Sequence, residues 1–272
     1  MKPSLQILTS SLAALAISTA LQADNHEVDP QLVEIAAGDH RPAEWIERND
    51  ARNPAETLSF FGLRPDMTVI ELSPSSGWYT SVIAPYLKDE GQYVAAHWDM
   101  EQDDLPEYAV RGFAAFTERF DDEAVYGEID IIPFNPPAKA SLGEAGSADM
   151  VLSFRNVHGW VRDGLLDEVL ESAHAVLKRG GVLGVVGHRL PEDRDGEGTP
   201  GYLKQSLIVG MAESHGFRLA EASDINANPA DTADHPSGVW SLPPSLRDGE
   251  ETADRYLAIG ESDRFTLRFV KR

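Results

Sequence analysis

The stretch Thr68-Val-Ile-Glu-Leu-Ser-Pro-Ser-Ser-Gly77-Trp-Tyr-Thr-Ser-Val-Ile-Ala-Pro-Tyr-Leu87 decides the fold. It opens with an apolar run short enough for a buried strand, and Ser73 to Gly77 then form a turn of small residues. A strand, a small-residue turn and a helix make the corner at which an open α/β sheet binds phosphates or nucleosides, because the first N–H groups of the helix are unpaired. The apolar stripe that predicts the helix comprises Trp78, Tyr79, Val82, Ile83, Tyr86 and Leu87.

Glu71 stands inside the apolar strand, where a carboxylate is costly to bury unless it has a partner. We interpret it as facing the ligand end of the sheet. The other interpretation is an acid at the strand end that pairs with a nearby arginine.

Further strand patterns alternate with helical patterns along the chain, and a last strand follows the final crossover without a helix of its own. The clearest helix has one apolar face between Leu165 and Leu177 and ends in basic residues followed by Gly180 and Gly181. This alternation predicts a doubly wound α/β sheet of seven strands. After the first strand, the predicted strands are residues 92–97, 129–134, 148–154, 182–187, 217–222 and 265–270.

Two segments flank the predicted sheet. Residues 24–64 predict an N-terminal helical collar before the α/β domain of residues 65–272. The mixed charges of residues 48–52 are typical either of a solvated face or of a lid over a ligand site. Residues 224–263 are rich in Pro, Asp and Asn, and a segment of that length inside a compact domain is usually functional or disordered. Its apolar residues Trp240, Leu242 and Leu257 predict that it packs as a lid.

Residues 1–23 have the features of a secretory signal peptide. Lys2 gives a positive start, an apolar and Ala-rich run follows, and Ala23 offers a small residue for cleavage. The apolar run is too short for a permanent membrane helix. We therefore expect export to the periplasm with no stable membrane insertion; the alternative is a disordered or wrongly started N-terminus.

The charge balance limits the partners. The chain carries a net charge of −22, and loss of residues 1–23 removes one lysine and no acid, which makes −23. Such a surface repels nucleic-acid phosphates at long range, so a nucleic-acid partner is disfavoured. The chain has no cysteine, which excludes disulfides, thiolate metal sites and thiol nucleophiles.

The strand order, the corner after the first strand and the added last strand resemble class I S-adenosylmethionine-dependent methyltransferases. The resemblance covers residues 54–272. The tail Asp224-Ile-Asn-Ala-Asn-Pro-Ala-Asp-Thr-Ala-Asp-His235-Pro, with Gly-Val-Trp240 and Ile-Gly-Glu-Ser-Asp263, resembles a bacterial group of predicted methyltransferases that often carry export signals. This resemblance implies a Rossmann-like sheet that is mostly parallel with an antiparallel C-terminal strand, and S-adenosylmethionine as cofactor.

The resemblance also implies a cofactor site. Glu71 matches the acid that begins the family's glycine-rich loop, and Ser73, Ser75 and Gly77 match its three glycines. Because serine carries a Cβ, we expect unfavourable φ values at the first two positions or a ligand displaced outward. Asp99, 22 residues beyond Gly77, matches the acid that binds the ribose; its other interpretation is a solvated acid of an acidic loop. Ser153 begins the segment that matches the loop lining the methyl-transfer site.

Methyl transfer is an in-line displacement, so the protein mainly aligns the acceptor with the methyl donor. Where the acceptor must lose a proton, His158 is the first candidate base, because imidazole titrates near neutral pH. Asn156 is a candidate to orient the acceptor, and His188 at the end of the fifth strand is a second candidate base. Each of these loop residues also has a purely structural or solvated interpretation. The acceptor itself is predicted only as a small molecule.

Three other functions compete with this one. A nicotinamide-dependent oxidoreductase would share the corner but would have G-x-G-x-x-G there, which Ser73-Pro-Ser-Ser-Gly77 does not match. A metal hydrolase lacks support because the histidines are scattered and no H-E-x-x-H occurs. The strongest competitor is an exported, non-enzymatic binding protein on the same fold, because S-adenosylmethionine is made in the cytosol and fold alone does not give activity.

Overall fold

A computed structural model describes residues 26–194 and 200–272. The predicted signal peptide, residues 1–23, lies outside this described part. The described residues form one mixed sheet with helices on both faces.

The sheet has the order β3-β2-β1-β4-β5-β8-β7, with the short β6 paired to the end of β5. Strands β1 to β5 run parallel, and β8 runs antiparallel between β5 and β7. The predicted mostly parallel, doubly wound sheet with an antiparallel C-terminal strand is therefore confirmed. The strands are β1 Thr68–Leu72, β2 Gln92–His97, β3 Ile129–Pro133, β4 Ala148–Phe154, β5 Leu177–Leu190, β6 Leu203–Lys204, β7 Phe217–Ser223 and β8 Arg264–Lys271.

Eleven α-helices connect or flank these strands within the described residues. They are α1 Pro30–Ala36, α2 Ala43–Ile46, α3 Asn49–Arg52, α4 Pro54–Phe61, α5 Thr80–Leu87, α6 Glu107–Arg119, α7 Glu123–Tyr126, α8 Val157–Asp163, α9 Leu166–Val176, α10 Gln205–Ser214 and α11 Glu250–Ile259. None of the helices in residues 26–194 and 200–272 combines the length and apolar character needed to cross a bilayer.

Strand β4 is buried on both faces of the sheet. Met150 and Leu152 belong to the core beneath α4 and α5, whereas Val151 between them belongs to the core beneath α9 and α10. Successive side chains of a strand point to opposite faces, so an apolar run such as Met150 to Leu152 requires helices on both faces of the sheet. The central strands are thereby fixed, and their carboxyl ends meet at one edge.

The strands β3, β7 and β8 differ from their predicted bounds by one residue at one end or both. β5 differs by more, because it begins at Leu177 rather than Val182 and continues to Leu190 rather than ending at Gly187, and Gly187 and His188 still pair with β8. The predicted strands did not include β6, which pairs with the end of β5.

The segment 224–263 has more regular structure than its composition predicted. It contains a 3₁₀ helix, Gly238–Ser241, and the helix α11. The carboxylate of Asp231 orders it, because it accepts hydrogen bonds from the Tyr202 hydroxyl at 2.8 Å and from the backbone N–H of Asp263 at 2.7 Å. Of the residues expected to pack, Leu242 is fully buried but Leu257 is 56% exposed, so that part of the expectation is wrong.

Candidate active site

A cavity of about 220 Å³ opens at the carboxyl ends of β1, β4 and β5. Parallel sheets bind ligands outside the carboxyl ends of their strands, so this is the expected edge. Trp240 brings the segment 224–263 into the wall of this cavity. The residues that line it are Glu71, Ser73, Pro74, Ser75, Trp78, Tyr79, Phe154, Arg155, Asn156, His158, His188 and Trp240.

The loop after β1 adopts the backbone that glycine usually supplies. Ser73 has φ 50° and Ser75 has φ 57°, both in the left-handed region, and Gly77 follows with φ 84°. The expected unfavourable φ values at the two serines are confirmed. A left-handed residue with a Cβ costs about 1–2 kcal/mol, so surrounding contacts must hold this loop in place.

Two side chains provide such contacts. The side-chain amide of Asn156 donates to the carbonyl oxygens of Leu72 at 2.8 Å and Ser73 at 3.2 Å. The ring of His97 bonds through Nε2 to the carbonyl oxygen of Ser75 at 2.9 Å, while its Nδ1 accepts from the N–H of Trp98. His97 is therefore a neutral ring with its proton on Nε2, and burial lowers its pKa to about 4. Asn156 thus holds the loop through its side-chain nitrogen, and its side-chain oxygen remains able to accept a hydrogen bond from a ligand.

Glu71 is a buried acid held by neutral donors. Its Oε2 accepts from the hydroxyl of Tyr93 at 2.7 Å and from that of Thr80 at 2.9 Å. Burial raises the pKa of Glu71 to about 7, against the lowering effect of these hydrogen bonds and of the nearby Arg155 charge. Glu71 lines the cavity at the ligand end of the sheet, and its carboxyl group is hydrogen-bonded to hydroxyls rather than paired with an arginine.

His158 and His188 lie together in the cavity wall, with ring centroids 5.5 Å apart. Nδ1 of His188 is hydrogen-bonded to the hydroxyl of Ser262 at 2.6 Å, whereas Nδ1 of His158 is buried and has no hydrogen-bond partner among the described residues. Burial, and then the charge of Arg162, lower the pKa of His158 to about 4; burial likewise lowers the pKa of His188 well below its usual value. Both imidazoles are therefore neutral at pH 7, and each is a weaker base than a solvent-exposed histidine.

Three of the residues predicted for the cofactor do not line this cavity. Gly77 lies against the ring of Phe120, where a Cβ would come within 2.1 Å, so glycine is needed there for packing. Ser153 lines a separate apolar hollow beneath α9, and its hydroxyl has no hydrogen-bond partner in the part of the chain that the structure describes. The carboxylate of Asp99 is paired with Nζ of Lys139 at 2.8 Å. Their cofactor roles remain predictions.

A group of arginines surrounds Glu261, and no local pattern of residues indicates it. The carboxylate of Glu261 contacts Arg48 at 2.7 Å, Arg52 at 3.0 Å and Arg264 at 3.4 Å. Burial alone would raise the pKa of Glu261, but these three guanidiniums and that of Arg155 hold it at about 2. We name Arg48, Arg52, Arg264 and Glu261 the arginine cluster. Because Arg52 is only 1% exposed, the interpretation of residues 48–52 as a solvated face is wrong for it.

No protein-family model matches the chain, and no curated protein matches it significantly. Among solved structures, it is similar to a SAM-dependent methyltransferase from Aquifex aeolicus, with TM-score 0.54 and 14% identity over 83% of this chain and 93% of that one. The chain has the fold of class I methyltransferases. The [4+2]-cyclase SpnF has TM-score 0.58 at 14% identity, covering 86% of this chain and 84% of SpnF. An arsenic (III) S-adenosylmethionine methyltransferase from Chlamydomonas reinhardtii has TM-score 0.52 at 18% identity, covering 89% and 73%.

These similarities establish the architecture, and the chemistry has to be argued from the cavity. In the described part of the chain, no three His, Asp or Glu side chains are placed to hold a metal ion. The cavity instead combines a left-handed backbone loop, a buried acid, two neutral imidazoles and one guanidinium.

Proposed function

We propose that this protein is an S-adenosylmethionine-dependent methyltransferase that acts on a small-molecule acceptor. The observation that carries the proposal is the loop after β1, which keeps left-handed φ at Ser73, Ser75 and Gly77 although two of the three residues are serines. Strained backbone of this kind persists where the surrounding structure requires it, and it occurs often at ligand sites.

The residues next to this loop fit S-adenosylmethionine. Ser73, Ser75 and Glu71, which match the family's cofactor loop and its acid, all line the cavity. The volume of about 220 Å³ lies below the usual 300–1,000 Å³ of small-molecule sites. We therefore expect the cavity to widen on binding. Trp240, which the segment 224–263 contributes to the wall, is the side chain whose displacement would enlarge it, in line with the predicted lid.

When bound, S-adenosylmethionine supplies an electrophilic methyl group. The protein then has to hold the acceptor in line and, for a protic acceptor, to take a proton. Neutral His158 is the proposed base and His188 the second. In the tautomer in which Nδ1–H of His188 donates to the hydroxyl oxygen of Ser262, Nε2 is the nitrogen that accepts a proton.

Calorimetric titration with S-adenosylhomocysteine tests the proposal. We expect saturable binding to the mature protein, weakened by Glu71→Ala. If Asp99 leaves Lys139 to bind the ribose, Asp99→Asn should also weaken the binding of S-adenosylhomocysteine. Asp103→Asn, in the same acidic loop, is the control. NAD should not bind. Absence of any heat at millimolar S-adenosylhomocysteine would sink the proposal and favour a binding protein on the same fold.

We also propose that the protein acts outside the cytosol, on the basis of the signal-like composition of residues 1–23. An exported methyltransferase requires cofactor at its site of action. Its cofactor content after isolation from the envelope, measured by mass spectrometry, therefore tests both parts of the proposal together.

A further inference from the structure

The guanidinium of Arg155 is unlike the other arginines around it. Arg48, Arg52 and Arg264 each contact Glu261, but no residue within 26–194 and 200–272 forms a hydrogen bond or an ion pair with the Arg155 side chain, and its Nε is buried. Burial lowers the pKa of Arg155 only to about 10, so the group stays cationic at neutral pH. Arg155 is half-buried as a residue, with its Nε fully buried, and a cation that is partly removed from water without a partner is costly.

The backbone of Arg155 is also under strain. It has φ 64°, and its N–H is held by the carbonyl oxygen of Val186 at 2.7 Å. A long side chain in the left-handed region costs free energy that glycine or asparagine would largely avoid. The strain and the unpaired guanidinium occur in one residue of the cavity wall, three positions before His158.

The surroundings of the cavity are positive although the chain as a whole is acidic. Glu261 is the ionised carboxylate among four guanidiniums, and it is already bonded to three of them. Glu71, the acid that lines the cavity, has a pKa raised to about 7 and so neutralises only part of the excess positive charge. A cleft of this sign with low-dielectric walls attracts anions, against a net charge of −22 on the whole chain.

We propose that Arg155 binds an anionic group, a carboxylate or a phosphate, of the molecule that enters this cavity, and that this molecule is the methyl acceptor. The assignment to the acceptor rests on the proposed function. Arginine suits the task because its planar fork forms two parallel hydrogen bonds to a carboxylate or a phosphate. The arginine cluster acts behind it by keeping Glu261 occupied, so that Arg155 has no competing carboxylate.

The acceptor and the cofactor are both possible sources of the anion, since S-adenosylmethionine carries a carboxylate of its own. Arg155 directly follows β4 and precedes Asn156 and His158, the second residue of α8, which are the candidates to orient the acceptor and to take its proton. This proximity in the cavity wall favours the acceptor as the source of the anion. The two sources are distinguished by whether the anion and the cofactor bind together or exclude one another.

The test uses the mature protein with three variants: Arg155→Gln, Arg155→Lys and, as the matched control, Arg119→Gln. Arg119 is also half-buried, is stacked on Trp45 at 4.5 Å and does not line the cavity, so its loss removes the same charge elsewhere. Thermal shift and calorimetry are measured with inorganic phosphate and with benzoate, at an ionic strength matched with chloride. Each series is run with and without saturating S-adenosylhomocysteine, and 5′-methylthioadenosine serves as the ligand that lacks the carboxylate.

We expect saturable binding of phosphate or benzoate in the presence of S-adenosylhomocysteine. Arg155→Gln should weaken it at least about tenfold, because a hydrogen-bonded charge is lost. Arg155→Lys keeps the charge but not the planar fork, so its affinity for the anion should lie between those of the wild type and Arg155→Gln. Arg119→Gln should bind the anion as the wild type does. Arg155→Lys also keeps the test decisive if Arg155→Gln folds poorly.

Three results would overturn the proposal. The first is no anion binding beyond that of chloride, and the second is undiminished binding in Arg155→Gln. The third is competition between the anion and S-adenosylhomocysteine, with Arg155→Gln weakening S-adenosylhomocysteine but not 5′-methylthioadenosine, because the anion is then the cofactor's own carboxylate. Failure of the proposed function looks different: Arg155-dependent anion binding without any binding of S-adenosylhomocysteine would support the anion site and overturn its assignment to a methyl acceptor.

Discussion

Arg52 and Glu261, 209 residues apart in the chain, form an ion pair of 3.0 Å between the N-terminal helices and the segment before β8. The pair is buried, and the guanidinium of Arg52 also lies 4.7 Å from the ring of Trp78 in the cavity wall. The contact therefore joins the two ends of the fold directly behind the candidate active site.

Removal of the counter-ion should destabilise the protein strongly. Glu261→Gln leaves the guanidiniums of Arg48, Arg52 and Arg264 without their shared carboxylate, and we expect a loss of about 3–5 kcal/mol in the free energy of unfolding. Urea denaturation measures it. Glu107→Gln, which breaks the exposed pair with Arg111, is the control and should change stability by less than about 1 kcal/mol. Equal effects of the two substitutions would contradict this account of the cluster.

Acid should weaken the same cluster. The pKa of Glu261 is lowered from 4.5 to about 2, so its stabilisation is present above pH 4.5 and is lost as the pH falls through 2. Integrated over that shift, the loss is about 3 kcal/mol. Unfolding midpoints of wild type and Glu261→Gln between pH 5 and pH 2 should converge as the pH falls. Parallel curves would show that Glu261 is not ionised in the folded protein.

Glu71 should have the opposite effect from Glu261 on the pH dependence of stability. Its pKa is raised from 4.5 to about 7, so the folded state holds a proton that the unfolded state has lost, and the stability that this proton contributes falls as the pH rises through that window. Glu71→Gln removes the titration, and the variant should gain on the wild type by about 2–3 kcal/mol between pH 5 and pH 8. The difference between the two proteins is the required readout, because buried histidines such as His97 and His158 titrate nearby with the opposite sign. A difference in stability between the two proteins that does not change with pH would show that the pKa of Glu71 is not raised in the folded protein.

Glycine at the two strained serines should relieve the loop. Ser73→Gly and Ser75→Gly each remove a Cβ from left-handed backbone, a gain of about 1–2 kcal/mol offset in part by the entropy of glycine in the unfolded chain. We expect a net stabilisation of about 0.5–1 kcal/mol for each, and tighter binding of S-adenosylhomocysteine. Ser172→Gly, in the middle of α9, is the control and should instead cost about 1 kcal/mol. Destabilisation by both loop substitutions would mean that the hydroxyls hold the loop.

The predicted signal peptide has a direct test. We expect the protein recovered from the envelope of an expressing bacterium to begin at Asp24, because Ala23 is the small residue at the predicted cleavage site. N-terminal sequencing of that fraction decides it. Recovery of Met1 from the envelope, or of the uncleaved chain from the cytosol alone, would remove the case for export.

The sequence by itself determined the sheet and the corner at its centre. Hydrophobic periodicity is a property of neighbouring residues, so the run before Ser73 and the mostly apolar segment of residues 148–154 predicted β1 and β4 within a residue of their ends. The strain at Ser73 and Ser75 was expected from the resemblance to the methyltransferase loop, because these serines stand where that loop has glycines.

Only the tertiary structure decided which side chains share the cavity. Whether Ser153 faces the ligand depends on the face of β4 that it occupies, and whether Arg155 is paired depends on where Glu261, 106 positions later, is already bound. These are long-range relationships of burial and charge, which no local pattern of residues specifies. The fold was therefore predictable from the chain, whereas the positive cavity and the unpaired guanidinium in its wall arise only when distant segments pack together.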